Sequence, residues 1–316
     1  MTIALAPRKL ADQVARHGGK LRHGLAPDAS RDAAFEQTVL RTLAPLDVAG
    51  RGALAPLLAP RYVAAARAAV ERGAILLIDA ALAEQHQDLP GWVHPFAGYA
   101  LAELLTYADC PNEPPRMGAE ANVDASVVLS PRVIIGKRVS IGAYSVIGQA
   151  GFGFVPTPSG ELRRLPHLAG VIIEDDVSIG SHVTIDAGTL HPTIIRRGAK
   201  IDSHVHIGHN CDVGAGTLIA AQTGLAGSVR VGASVLIGGQ VGIADHVHVG
   251  DGARIAAKSG VIGDVEPGVT VAGYPAVIRA RWLRGLAELY RGVALADAEE
   301  EAAAAAERHA AKDPLA

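Results

Sequence analysis

The chain has 316 residues, a formal net charge of −3, and 4% aromatic residues against 36 glycines. This length allows two domains, or one domain with an elongated repeat, and the near-neutral charge argues against a general nucleic-acid binder. Cys110 and Cys211 are too few for a disulfide framework and favour a reducing cytoplasm. No stretch approaches the roughly 20 apolar residues of a membrane span, so we expect at most peripheral membrane contact.

Residues 1–115 predict a small α/β domain. The segments "RKLADQVARHGG", "RYVAAARAAVERG" and "FAGYALAELLTYA" have helical character, and "AILLID" is typical of a buried strand. The Pro-rich stretch 110–118 predicts a linker to the next domain.

A six-residue period dominates residues 119–275 and predicts a parallel β-helix, in which each aliphatic anchor points inward. Three six-residue sides would close one coil, so residues eighteen apart should stack about 4.8 Å from one another. The anchors form three runs: Val123, Leu129, Ile135, Ile141, Ile147; Ile173, Ile179, Ile185; and Ile195, Ile201, Ile207, Val213, Ile219, Leu225, Val231, Ile237, Ile243, Val249, Ile255, Val261.

Two segments interrupt the period. Residues 149–170 are rich in Gly and Pro and predict a long projecting loop of the kind that carries function, and "TLHP" (189–192) predicts a smaller bulge. Residues 276–316 predict a C-terminal helical extension.

The motifs resemble those of the UDP-3-O-acylglucosamine N-acyltransferases of lipid A biosynthesis. The resemblance rests on "GFGF", "TIDAGT", "KIDSHVHIGHN", "TGLAGSVRVG", "IGGQVGIADHVHVGDG" and "EPGVTVAGYPAVIRARWLR", and on the "LAPLLAPRY" region of the N-terminal domain, which resembles a uridine-binding domain. It implies a mainly β fold, with a left-handed β-helix in a bacterial cytoplasmic homotrimer. It also implies transfer of a hydroxyacyl chain from the phosphopantetheine of acyl carrier protein to the 2-amine of a UDP-linked glucosamine, without a metal or another cofactor.

Some positions depart from the family pattern. Ala187 stands where the family has arginine, and Ser203 stands where it has asparagine. Pro56 and Ala59 replace an aromatic residue and an asparagine, which leaves Tyr62 to stack on uracil. These losses motivate an alternative, an acetyl-CoA-dependent N-acetyltransferase acting on another nucleotide amino sugar.

The stretch "HVHIGHN" (204–210) contains the expected catalytic residue. His209 falls at a corner, and the resemblance implies that its neutral imidazole is the general base for the amine. Gly227, eighteen residues on, matches the family's oxyanion donor, although a plain turn glycine is as good an interpretation. His246 is expected to bind the pantetheine arm or the substrate, or else to be solvated.

Further residues are expected to bind substrate or carrier. Asp202 and Asn210 match substrate-binding positions by resemblance, and Phe152 and Phe154 would cover an acyl chain or sugar, or alternatively staple the loop to the coils. A basic cluster after the β-helix, Arg279, Arg281 and Arg284, suits acidic acyl carrier protein or is simply a solvated helix face.

The histidine cluster also raises a metal hypothesis, a zinc-dependent hydratase of the hexapeptide class, or a non-catalytic trimeric scaffold. We expect His204 and His206 to point outward from a strand face, so that a three-histidine site would need a ligand two coils away. That position is Leu168, with His167 beside it. The sequence therefore favours no metal.

Overall fold

The computed structural model describes residues 3–23 and 34–291. The N-terminal part contains one six-stranded sheet of spatial order β1-β3-β4-β5-β6-β2, in which β3 to β6 are parallel and the two edge strands are antiparallel. Its strands are β1 (Ile3–Lys9), β2 (Lys20–Arg22), β3 (Val39–Leu43), β4 (Ala53–Leu57), β5 (Ile75–Asp79) and β6 (Gly91–His94).

Helices cover both faces of this sheet, which is why its central strands are almost wholly apolar. The helices are α1 (Leu10–His17), α2 (Val63–Glu71), α3 (Ala80–Gln85) and α4 (Ala97–Thr106), with a 3₁₀ turn at Pro60–Tyr62. The predicted helices and the "AILLID" strand are confirmed, except that Arg8 and Lys9 end β1 instead of starting α1.

The second part is a parallel β-helix of three sheets, as the six-residue period predicts. The first sheet contains β7 (Arg116–Met117), β10 (Val133–Ile135), β15 (Val171–Ile173), β18 (Thr193–Ile195), β21 (Asp212–Val213), β24 (Arg230–Val231) and β27 (His248–Val249). The second contains β8 (Asn122–Val123), β11 (Ser140–Ile141), β16 (Ser178–Ile179), β19 (Lys200–Ile201), β22 (Leu218–Ile219), β25 (Leu236–Ile237), β28 (Arg254–Ile255), β30 (Thr270–Ala272) and β31 (Val277–Ile278). The third contains β9 (Val128–Leu129), β12 (Val146–Ala150), β17 (Thr184–Ala187), β20 (His206–Ile207), β23 (Gly224–Leu225), β26 (Gly242–Ile243) and β29 (Gly260–Val261).

The aliphatic anchors of the three sheets pack into one continuous core along the axis of this β-helix. Strands eighteen residues apart pair in register, for example Lys200 with Leu218 and Leu218 with Leu236. Many corners use a non-glycine residue in the left-handed region, such as Asn210 at φ 62° and His246 at φ 59°. The chain thus turns sharply at each corner while the side chains beside it stay outside the core.

Both interruptions of the period pack against the N-terminal domain. Residues 149–170 contain a β-hairpin, β13 (Phe154–Pro156) and β14 (Leu162–Arg164), which lies on α4. Arg163 forms an ion pair of 2.8 Å with Glu103 of α4. The segment therefore leaves the coils as a β-hairpin and not as an irregular loop, and it packs on that helix.

The "TLHP" bulge has the same role. Leu190 is buried in the core of the N-terminal domain, and His191 lies 3.0 Å from the Asp47 carboxylate. A change of period in the sequence therefore marks a point of domain contact.

After the β-helix the chain is helical from 279 to 291, and the predicted extension beyond 291 lies outside the described residues. None of the helices within the described residues is long and apolar enough to cross a membrane. Both cysteines are free, and burial raises the pKa of the Cys211 thiol to about 12.

Candidate active site

His209 lies at the corner between β20 and β21, next to Asn210. Its Nδ1 is 2.9 Å from the Asn210 Oδ1, so the asparagine side chain orients the imidazole. Asn210 is itself held by the bulge: its Oδ1 accepts from the Thr189 hydroxyl at 3.0 Å, and its Nδ2 donates to the His191 carbonyl at 3.1 Å. The corner is therefore fixed by the same segment that breaks the six-residue period.

This network assigns the tautomer of His209. The Thr189 backbone N–H also points at the Asn210 Oδ1, at 3.3 Å, and an N–H can only donate. The atom facing His209 must then be the amide oxygen, which can only accept, so His209 Nδ1 carries the proton. In the neutral ring Nε2 keeps its lone pair and is available as a base.

All polar atoms of the Asn210 side chain are thus engaged by the protein. The Asn210 amide nitrogen has a second N–H that makes no hydrogen bond within the described residues, so the substrate contact that the family resemblance implies stays a prediction. The geometry also gives Asn210 the role of orienting His209.

Gly227 lies one coil from His209 and directly against its ring. A Cβ at position 227 would lie 2.5 Å from His209 Cε1 and 2.6 Å from Nε2. Glycine is therefore required here by close approach. No hydrogen bond within the described residues has the Gly227 N–H as its donor, which leaves this group for an acceptor beside Nε2.

The base of the 149–170 segment closes the opposite side of the site. The ring centroids of His167 and His209 are 4.7 Å apart at an interplanar angle of 55°. A Cβ at Gly151 would lie 2.9 Å from His209 Cδ2, and one at Gly153 would lie 2.9 Å from His167 Cε1. The glycines of "GFGF" thus leave room for two histidines, and His167 is the site residue that sequence reasoning missed.

His246 and Tyr62, expected in different subsites, contact each other. The Tyr62 hydroxyl is 2.7 Å from His246 Nδ1, and the rings meet edge to face with centroids 5.9 Å apart. Burial is the largest cause that lowers the pKa of His246, followed by the neighbouring Arg61. The contact joins the N-terminal domain to the β-helix two coils from His209.

Phe152 and Phe154 lie beside this site at the base of the hairpin. Phe152 is 86% exposed, so it does not staple the segment to the coils. Phe154 packs against Phe152, with centroids 5.2 Å apart, and under the Arg164 guanidinium at 4.9 Å. An exposed aromatic pair next to His209 is a surface that an apolar ligand can cover.

Asp202 is at a different corner from His209, because it follows β19 of the second sheet. It lines an apolar groove of about 620 Å³ that includes Lys200, Leu218, Leu236 and Arg279. Within one protomer Asp202 and His209 therefore lie at different corners, and the substrate contact predicted for Asp202 stays a prediction.

The three arginines of the basic cluster lie in two places. Arg281 and Arg284 are three residues apart and share one face of the helix that starts at 279, whereas Arg279 lines the groove. All three side chains are exposed.

The two other histidines of "HVHIGHN" lie apart from His209. His204 occupies a corner at φ 60° and stacks on His182 at 4.9 Å, so its prediction on a strand face is wrong. His206 is on β20, bonded to the Thr184 hydroxyl at 2.7 Å and 3.8 Å from the buried Asp186 carboxylate. Within residues 3–23 and 34–291 no three metal-ligating side chains converge, so a zinc site would need ligands from a second protomer.

Comparison with known proteins agrees with this architecture. Residues 228–259 match the family model described as the hexapeptide repeat of succinyl-transferase. A UDP-3-O-acylglucosamine N-acyltransferase of Gloeobacter violaceus is 57% identical over 147 residues, which cover 46% of this chain and 43% of that protein. The enzyme of that name from Anaeromyxobacter dehalogenans is 46% identical over 179 residues, covering 55% of this chain and 51% of its own.

A solved UDP-N-acetylglucosamine acyltransferase from Campylobacter jejuni overlaps 52% of this chain and 69% of its own, with 24% identity and a TM-score of 0.45. The chain spans about half the length of the curated relatives it matches. The six-residue repeat defines a hexapeptide-repeat protein with a histidine site at one of its corners. Over the matched half, the chain is similar to enzymes named UDP-3-O-acylglucosamine N-acyltransferase.

Proposed function

We propose that this protein is an N-acyltransferase that transfers a (3-hydroxy)acyl chain to the 2-amine of a UDP-3-O-acylglucosamine in lipid A biosynthesis. The proposal rests on two groups that lie side by side. They are the His209 Nε2, which carries a lone pair, and the Gly227 N–H on the next coil, which makes no hydrogen bond within the described residues. The relatives' name supplies the acceptor class.

In the reaction the amine nitrogen attacks the thioester carbonyl carbon while His209 Nε2 takes the amine proton. Negative charge develops on the carbonyl oxygen, to which the Gly227 N–H donates a hydrogen bond. The C–S bond then breaks, and the His209 imidazolium returns its proton to the departing thiolate. Asn210 holds Nδ1–H throughout, so only Nε2 exchanges protons.

The donor, the assembly and the location belong to the same proposal. We infer an acyl carrier protein thioester as donor, with no metal or other cofactor, a homotrimer as the assembly and a bacterial cytoplasmic location. The exposed Arg281 and Arg284 face suits an acidic carrier protein, and Phe152 suits an acyl chain.

The deciding experiment is His209→Ala in the full-length protein, with an exposed histidine variant, His182→Ala, as the matched control. We expect His209→Ala to fold and to lose about 10²–10⁴-fold in kcat, the usual contribution of a general base. Turnover near that of the unaltered protein would refute the assignment.

A second candidate function is acetyl transfer from acetyl-CoA to another nucleotide amino sugar, favoured by Ala187, Pro56 and Ala59 at positions where the family pattern has larger or polar groups. Offering acyl carrier protein thioesters and acetyl-CoA in competition separates the two. A preference for acetyl-CoA would establish the second function in place of the first.

A further inference from the structure

His167 is buried in a way that ordinary packing does not explain. Its side chain is 5% exposed, and neither ring nitrogen makes a hydrogen bond of normal geometry within the described residues. The Leu165 backbone is near enough to raise the pKa of His167, but it falls short of a normal bond. Burying an unpartnered polar group costs about 1–3 kcal/mol, which a leucine or phenylalanine would avoid.

The neighbours of His167 are arranged around it and His209 together. Gly151 lies between the two rings: a Cβ there would be 2.8 Å from His209 Cβ and 3.1 Å from His167 Nε2. His209 is consequently bounded on three edges, by Asn210 at Nδ1, by Gly227 at Cε1 and Nε2, and by the 149–170 segment at Cδ2. His167 is the titratable side chain of that segment that contacts the His209 ring.

Charge in this region favours a neutral His167. Burial first, then His209 and Arg164, lower the pKa of His167 to about 4, against the opposing effect of Leu165. His246, two coils away, is also affected by His209. At neutral pH the side chain next to His209 is therefore an uncharged dipole that adds no repulsion when His209 takes up a proton.

We propose that His167 is a positioning residue for His209, with its neutral imidazole fixing the His209 ring and supplying the polar surroundings that the imidazolium form requires. The catalytic meaning of this contact rests on the proposed function, but the contact itself does not. His167 follows the hairpin, which lies on α4 and is paired to it through Arg163 and Glu103, so the N-terminal domain sets the position of His209 through this segment.

The test uses full-length His167→Phe and His167→Gln, with His182→Phe as a matched control at an exposed histidine. Side-chain ¹⁵N NMR titration reports the tautomer and pKa of His209 directly, and the pH dependence of kcat/KM reports them in turnover. Phenylalanine keeps the ring volume and removes the dipole, so the imidazolium of His209 loses polar surroundings and its pKa should fall by about 0.5 unit or more.

We expect kcat of His167→Phe to fall about tenfold, and the acid limb of its pH profile to move to lower pH. Because glutamine is neutral and polar, the His209 pKa in His167→Gln should be close to that of the unaltered protein. His182→Phe should leave the His209 pKa unchanged. A His209 tautomer and pKa equal to those of the unaltered protein in His167→Phe would overturn the proposal. An equal shift in the Phe and Gln variants would also overturn it, because polarity would then be irrelevant.

If His167→Phe does not fold, His167→Leu takes its place as the apolar variant, and a His209 tautomer and pKa equal to those of the unaltered protein in His167→Leu would overturn the proposal. The NMR result stands even if the unaltered protein has no N-acyltransferase activity. Failure of the proposed function and failure of this inference are therefore distinguishable.

Discussion

The substitution Gly227→Ala tests the geometry of the site most directly. The new methyl carbon would start 2.5 Å from His209 Cε1 and 2.6 Å from Nε2. Non-bonded carbons prefer about 3.5–4.0 Å, so the ring or the coil must move by about 1 Å. Overpacking of this size costs about 1–3 kcal/mol, and a 1 Å misplacement of a catalytic group costs about 10²-fold in rate.

We expect Gly227→Ala to lower kcat about 100-fold while KM for the nucleotide sugar changes little. Turnover is measured with an acyl carrier protein thioester, and the His209 ring resonances are followed by NMR in the same sample. Gly263→Ala is the matched control, since a Cβ at Gly263 meets no atom within 4 Å. If Gly227→Ala has the kcat and the His209 resonances of the unaltered protein, the close approach of Gly227 to the His209 ring does not constrain the site.

Three further predictions follow from single contacts. Asn210→Ala should remove the hydrogen bond that fixes the His209 tautomer and leave the other hydrogen-bond partners of Asn210 unsatisfied. The free energy of unfolding in urea should fall by about 1–3 kcal/mol, and kcat should fall at least about tenfold. An unchanged His209 tautomer by NMR would contradict this prediction. Tyr62→Phe should lower unfolding stability by about 0.5–1.5 kcal/mol through loss of the hydroxyl bond to His246, whereas Tyr107→Phe, at an exposed ring, should not. The pKa of His167 is about 6.5 in the unfolded chain and about 4 in the folded protein, so the free energy of unfolding should fall by about 2–3 kcal/mol as pH drops from 6.5 to 4. An equal fall in His167→Phe would show that another group causes it.

Part of the site follows from the sequence because the β-helix is nearly one-dimensional. Once the anchors are in register, Gly227 must lie one coil from His209, and pairing of strands eighteen residues apart bears this out. The sequence could not predict why position 227 must be glycine. That depends on the direction of the His209 ring, which is set by Asn210 and the bulge.

The six-residue repeat does not predict the position of His167. It lies within the segment that breaks the period, so no register relates it to His209. The one available signal is the pair of glycines flanking Phe152, whose missing side chains leave space for two imidazoles. The contact of Tyr62 with His246 cannot be predicted from the sequence either, because the two residues belong to different domains.

The sequence by itself determined the coil, the inward anchors, the corner position of His209 and the α/β character of the N-terminal domain. These depend on local periodicity and on burial, which single residues record. The tertiary structure alone decided how the domains meet: the hairpin on α4, the bulge against Asp47, and the ring of His167 against His209. Those contacts join segments without a common period, and only the packed shape of the whole chain brings them together.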